Sequence, residues 1–328
     1  NSNLFVVKVP RDSRRDGLIH EAFVGSVLNG LRTMTPSFMY TYGSAKCTEV
    51  ATDDSKFIYW CNPVHNDESA LLNYVVLENI RNAVPLKTFI RQIAYGLIDV
   101  DEKRFERLMI LLVNALAIAY NKCGFIHLDL HDSNVMVRTF DNPVAIPIYD
   151  QNLQITGYIA SKYVPYIIDY GRVSLTVEGV KFAYYFPDEI VQRENGNGTD
   201  VSDLYKCICF SAYNLETLNP TREFNGTEYN LRQNAVDAVY RVLNNIYSLY
   251  KETTFRNISE RARNRLTHDD FYVYAPKIDP MTRKSLQPIR INGILTALLD
   301  YNGQMLQLTD CLNQRIQLAP LNDGMDNC

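Results

Sequence analysis

The segment Gly124 to Val137, GFIHLDLHDSNVMV, sets two carboxylates (Asp129, Asp132), two imidazoles (His127, His131) and a carboxamide (Asn134) between apolar flanks. Polar groups at that density beside apolar chain need a task, because each one withdrawn from water without a partner is costly. A further carboxylate, Asp169, closes the apolar run Tyr166 to Ile168 just before Tyr170 and Gly171. Upstream, Lys8 rides on the β-branched run LFVVKV, and Glu21 lies in a helical pattern. These are the groups that phosphoryl transfer from a nucleotide uses: a cation on the phosphates, a carboxylate holding that cation, two oxygen ligands for magnesium, and a carboxylate that orients the attacking hydroxyl.

The same residues admit other readings. Asp129 and Asn134 are also turn and cap formers, and a strand lysine or helix glutamate commonly buries its stem while its charged end reaches water. His127, Asp129 and His131 alternate, so holding a metal with all three would need an extended strand, whereas a helical zinc site spaces its histidines as H-E-x-x-H. The order of lysine, glutamate, aspartate, asparagine and a second aspartate favours the phosphoryl-transfer set.

The elements that must position these groups follow from periodicity. Leu4 to Val9 reads as a strand, and Leu18 to Leu31 as a helix with Ile19, Phe23, Val27 and Leu31 at helical spacing and Asp16 near its cap. Phe38 to Tyr42, Lys56 to Trp60 and Asn73 to Leu77 read as strands. The composition then turns helical: Leu86 to Ala94, Asp101 to Lys122 with Gly124 as its stop, Asp203 to Tyr213, Asn230 to Thr254 and Ile294 to Asp300. Asn134 to Val137 is a short apolar run, and Arg138 to Pro165 reads as an insertion. The expectation is a sheet-rich N-terminal part and a larger helical C-terminal part, with no internal repeat.

The 328 residues carry a net charge of −4 and no Lys/Arg-rich run, which argues against a general nucleic-acid binder. The apolar run Leu108 to Tyr120 is too short for a bilayer span, which takes about 20 residues. Seven cysteines without a CxxC pair fit free thiols in a reducing compartment. There is no secretory-signal pattern, and a start at Asn fits a piece of a longer parent.

On the residues quoted above, the chain resembles the protein-kinase superfamily. Lys8 in FVVK matches the strand lysine of V-A-I-K, and Glu21 in HEAF its helix partner, with Glu49 a second acidic candidate. Asp129 in HLDLHDSN matches the catalytic-loop aspartate, Asn134 the magnesium-binding asparagine, and Asp169 in DYG the second metal ligand. VVLENI is similar to the hinge, with Leu77 as gatekeeper and the backbone of Glu78 and Ile80 facing adenine. Asp203 in DLYKC resembles the aspartate that anchors the catalytic loop, and Phe186 to Glu189 echoes A-P-E. HEAFVGSVLNGLR, PSFMYTYG and YIIDYGR resemble the divergent serine/threonine kinases of iridovirus- and mimivirus-type large DNA viruses.

The resemblance implies an α+β, protein-kinase-like bilobal fold: a small sheet-rich N-lobe over 1–80 and a larger, mainly helical C-lobe over 81–328, with an insertion at 138–165 and an unassigned region beyond about 215. It implies ATP and Mg²⁺ as cofactors, a protein substrate, viral structural proteins as further partners, and residence in host cytoplasm or a virion. The sequence also departs from the pattern. The strands and glycine-rich loop expected before Lys8 are absent, Leu128 replaces the usual arginine, and His131 stands where serine/threonine kinases carry lysine. The alternatives are therefore a pseudokinase used as an interaction module, and a small-molecule phosphotransferase of the aminoglycoside type, which shares H-x-D-L-H-x-x-N.

Overall fold

The computed structural model describes residues 5–9, 17–46, 73–183, 201–249, 290–302, 305–314 and 316–319. Strand β1 (Phe5–Lys8) pairs antiparallel with β3 (Asn73–Glu78), and β3 pairs on its other side with β2 (Thr41–Lys46). The strand of Lys8 therefore lies beside the strand expected to be the hinge, in the register Lys8 to Val75 and Val6 to Leu77. The strand expected over Lys56 to Trp60, the Asp16 cap, Glu49 and Phe186 to Glu189 lie outside the described residues. Phe38 makes a single bridge to Ile167 in place of starting a strand.

Helix α1 (Leu18–Asn29) packs on this sheet and continues into a 3₁₀ turn, Gly30–Thr33. Its buried side is Leu18, Glu21, Ala22, Val24, Gly25 and Leu28, whereas Ile19 and Phe23, expected on the core face, are 60% and 36% exposed. The buried face is therefore offset from the one that the apolar spacing marks, and on the outer side the Phe23 ring lies 4.7 Å from that of Phe182. Gly25 is required where helix and sheet meet. A Cβ there would lie 2.0 Å from Thr41 Oγ1, so only glycine allows this approach.

After β4 (Ala83–Pro85) come α2 (Leu86–Ala94) and α3 (Glu102–Cys123). Asp101 caps α3 by accepting from Arg104 N at 2.8 Å, and Gly124 ends it in the left-handed region at φ 58°. Every residue from Leu108 to Ala119 is buried, so α3 is the central core helix. Asn114, which interrupts its apolar run, donates to Pro147 O at 3.1 Å and accepts from Tyr149 N at 3.2 Å, satisfying backbone that the adjacent sheet leaves unpaired.

The stretch 138–165 is a correction to the sequence reading. It is not a looped-out insertion but most of a long antiparallel hairpin, β5 (Val135–Tyr149) and β6 (Ile155–Ile167), built into the core. The apolar residues Val144 to Ile148 and Val164 to Ile167 supply the reason: they bury against α3 rather than face water. The hairpin also means that the large part of the molecule is less purely helical than expected. β4 pairs with the outer edge of β5, and β11 (Gln317–Leu318) pairs with β5 in parallel.

The hairpin β7 (Ser174–Val177) and β8 (Val180–Ala183) follows Gly171, and Phe182 on it is the residue that covers Phe23. Helix α4 (Ser202–Glu216) is buried behind the Gly124 to Asn134 loop. Residues 221–230 form a second small hairpin, β9 (Thr221–Phe224) with β10 (Thr227–Asn230), so the helix expected from Asn230 starts later, as α5 (Gln233–Ser248). Helices α6 (Ile291–Asn302) and α7 (Leu308–Asn313) complete the described chain. The architecture is α+β: the strand of Lys8, β3 and the helix of Glu21 on one side of the loop, and a core helix, a buried helix and the long hairpin on the other.

Candidate active site

Lys8 is the meeting point of three elements. Its Nζ donates to Glu21 Oε2 at 2.8 Å and Oε1 at 2.9 Å on α1, and to Asp169 Oδ1 at 2.7 Å at the end of β6. Glu21 is 2% exposed, so its carboxylate depends on this ammonium for compensation. Burial opposes the charge on Lys8, but Glu21 and Asp169 outweigh it and raise its pKa. The two carboxylates respond differently. Burial dominates at Glu21 and raises its pKa, whereas at the half-open Asp169 burial is outweighed by Lys8, which holds the carboxyl below its ordinary value.

Asn134 and Asp169 are brought together by the hairpin. Val135 and Ile167 are partners at its open end, so the residues flanking the two strands are neighbours. Ile168 N donates to Asn134 O at 3.0 Å across that end. Asn134 also donates through Nδ2 to Asp129 O at 3.0 Å, which leaves Oδ1 as its acceptor atom. His127 Nε2 lies 2.9 Å from Ile168 O, tying the loop to the residue before Asp169.

The loop itself is held by α4. Asp203 is buried, and its two oxygens accept from the consecutive amides of His127 and Leu128. Leu128 sits at φ 63° and Asp169 at φ 65°, both in the left-handed region that side chains disfavour. Two such residues flanking one site show that the surrounding bonds over-determine its backbone. The same face of α4 carries Lys206, Phe210 and Asn214 at helical spacing. Lys206 Nζ donates to Asp129 Oδ1, the Phe210 ring lies 5.6 Å from His131, and Asn214 donates to the buried Asp132.

This stripe is the main thing the sequence reading missed. His131, which stands where the pattern expects a lysine, turns to Phe210 and accepts from Ser133 N through Nδ1 at 3.2 Å. Burial lowers its pKa, disfavouring the charged ring. The cations against Asp129 are instead Lys206 and, more loosely, Arg172, whose Nε is 3.8 Å from Oδ2. The signal for Lys206 was available: it follows Asp203 by one helical turn in DLYK.

On β3 and just after it, at the expected hinge, Leu77 and Ile80 are buried. The Glu78 amide donates to Tyr40 O at 2.9 Å, so that amide is already used within the fold. The Glu78 side chain is buried in an ion pair with Arg32, which also donates to Phe38 O at 2.8 Å. Nothing in the sequence pattern pairs these two residues.

Asp169 and Asn134 fit a magnesium site by donor chemistry. They offer a carboxylate that is 46% exposed and a carboxamide oxygen, hard donors of the kind the ion shares with phosphates and water. Among the described residues there is no cluster of three or more His, Cys, Asp or Glu that could hold a metal alone. No helix among them is long and apolar enough to cross a membrane.

No family model matches the chain. Two curated relatives are similar to it: uncharacterized protein 035R of Invertebrate iridescent virus 3, 25% identical over 173 residues, and uncharacterized protein 179R of Invertebrate iridescent virus 6, 24% identical over 229 residues. These matches take in 50% and 64% of the chain but 15% and 17% of the relatives, so the chain spans a small part of their length. Among solved structures, the Rad53 kinase domain with SCD2 is 16% identical at a TM-score of 0.37, covering 90% of this chain and 88% of that one. The autoinhibited serine kinase domain of the giant muscle protein titin is 13% identical at 0.38, covering 96% and 85%. WaaP in complex with acyl carrier protein is 11% identical at 0.38, covering 79% of each.

Proposed function

We propose that this chain binds ATP with Mg²⁺ and transfers the terminal phosphoryl group to a hydroxyl, on serine or threonine of a protein. The observation that carries this reading is the contact of Lys8 with both Glu21 and Asp169, beside a loop that holds Asp129 and Asn134. Lys8, oriented by Glu21, grips the α and β phosphates. Asp169 and Asn134 offer oxygens to magnesium, which when bound neutralises charge on the phosphates. Asp129 orients the attacking hydroxyl and accepts its proton. Leu77, the Glu78 carbonyl and Ile80 line the adenine side. The similarity to two iridescent-virus proteins supports a viral setting, with viral structural proteins and host proteins as candidate partners.

The test is Mg²⁺-dependent stabilisation by ATP in a thermal melt, followed by transfer of labelled γ-phosphate to a generic protein substrate. Binding with transfer is the expected result. A chain that neither binds nor transfers uses this arrangement for its surfaces alone.

A further inference from the structure

Asp129 has to present one oxygen to an incoming hydroxyl, and a carboxylate on a loop rotates unless something fixes it. We propose that Lys206 is the positioning residue that fixes it, reaching from α4 to do what the loop's own His131 does not. This inference rests on the phosphoryl-transfer reading above and deepens it.

Three observations carry it. Lys206 Nζ donates to Asp129 Oδ1, and its side chain is 8% exposed against 20% for Asp129, so the cation lies behind the carboxylate, away from solvent. With Oδ1 held there, the contact to Oδ2 is the longer one, from Arg172 Nε at 3.8 Å, whose side chain is 31% exposed. Finally, Lys206 lies one turn from Asp203, which clamps the His127 and Leu128 amides. One face of one helix thus sets both the loop backbone and its carboxylate. His131 is occupied by the Ser133 amide and the Phe210 ring.

Lys206→Met keeps the length and apolar stem while removing the ammonium, and Lys206→Arg keeps the charge. Turnover is measured on the full chain with ATP and Mg²⁺, using both a generic protein substrate and water as acceptor, and melting temperatures establish that the variants fold. Lys206→Met is expected to lower kcat by about tenfold to a hundredfold, the size of a misplaced reacting group. KM for ATP should stay within about twofold, since the lysine touches the acceptor side. Lys206→Arg should recover part of the loss. In an Asp129→Asn background Lys206→Met should add little, because both changes remove the same function. A folded Lys206→Met variant with wild-type kcat overturns the proposal, as does an equal loss in both backgrounds. If the unaltered chain shows neither MgATP binding nor turnover, the phosphoryl-transfer reading falls and this inference with it. Wild-type turnover with an unaffected Lys206→Met sinks the inference alone.

Discussion

Leu128 donates its backbone N–H to Asp203 Oδ1 at 2.9 Å while holding φ at 63°, a conformation a leucine adopts only under constraint. The constraint comes from a buried carboxylate on a helix far along the chain. The loop's shape is therefore a tertiary property, and Asp129 inherits its place from α4.

Asp203→Ala removes the acceptor of two buried amides. A loss of about 2–4 kcal/mol in stability is expected, since unsatisfied buried groups cost about 1–3 kcal/mol each. Denaturant unfolding measures it. Asp203→Asn, which keeps one carbonyl oxygen, should lose less, and equal losses for the two variants would show that the bonds to the loop are not what Asp203 contributes.

Lys8→Met leaves Glu21 buried without its cation, so it should lower stability by about 1–3 kcal/mol and abolish MgATP binding. Adding Glu21→Gln should restore stability but not binding. The pair of measurements, melting and nucleotide titration, separates the structural part of the contact from its part in ligand binding.

Asp129→Asn preserves shape and hydrogen bonding but cannot accept a proton. Phosphoryl transfer should fall by roughly two orders of magnitude or more with nucleotide affinity unchanged. A variant with normal turnover takes Asp129 out of the mechanism.

The contact between Lys8 and Asp169 has a pH signature. The folded carboxyl of Asp169 lies below its ordinary 3.8, so its stabilising contribution is present above that value and lost as pH falls through the lower folded one. The stability gap between the unaltered chain and Asp169→Asn should be widest near neutrality and close in acid. Glu21, raised by burial, acts in the opposite sense, which is why the comparison uses the Asp169 variant rather than the acid limb of the unaltered chain.

Gly25→Ala drives a Cβ to 2.0 Å from Thr41 Oγ1, and overpacking of this kind costs about 1–3 kcal/mol. Gly30→Ala is the control. It has nothing within 4 Å of the added carbon and an ordinary right-handed helical backbone, so it should be neutral or stabilising by about 0.4–1 kcal/mol.

Much of this was legible in the sequence because it is local. The capped helix α3, the run Leu86 to Ala94 and the spacing of Asp129 to Asn134 are set by near neighbours. The outward face of α1 was misread because Phe182, far along the chain, covers Phe23. The pairing of Arg32 with Glu78 and of Lys206 with Asp129 joins residues whose separation carries no periodic signal. Arg138 to Pro165 reads as an insertion because the two strands that contain it, buried on the core side, show apolar runs interrupted by prolines rather than clean alternation.

That hairpin decouples distance along the chain from distance in space. Asn134 and Asp169 are gauged by the rungs from Val135–Ile167 to Thr139–Tyr163, and the register then shifts before resuming at Val144–Ser161. The irregularity acts as a buffer: residues gained or lost beyond it alter the far end of the ribbon while the spacing of the two oxygen donors stays as it was.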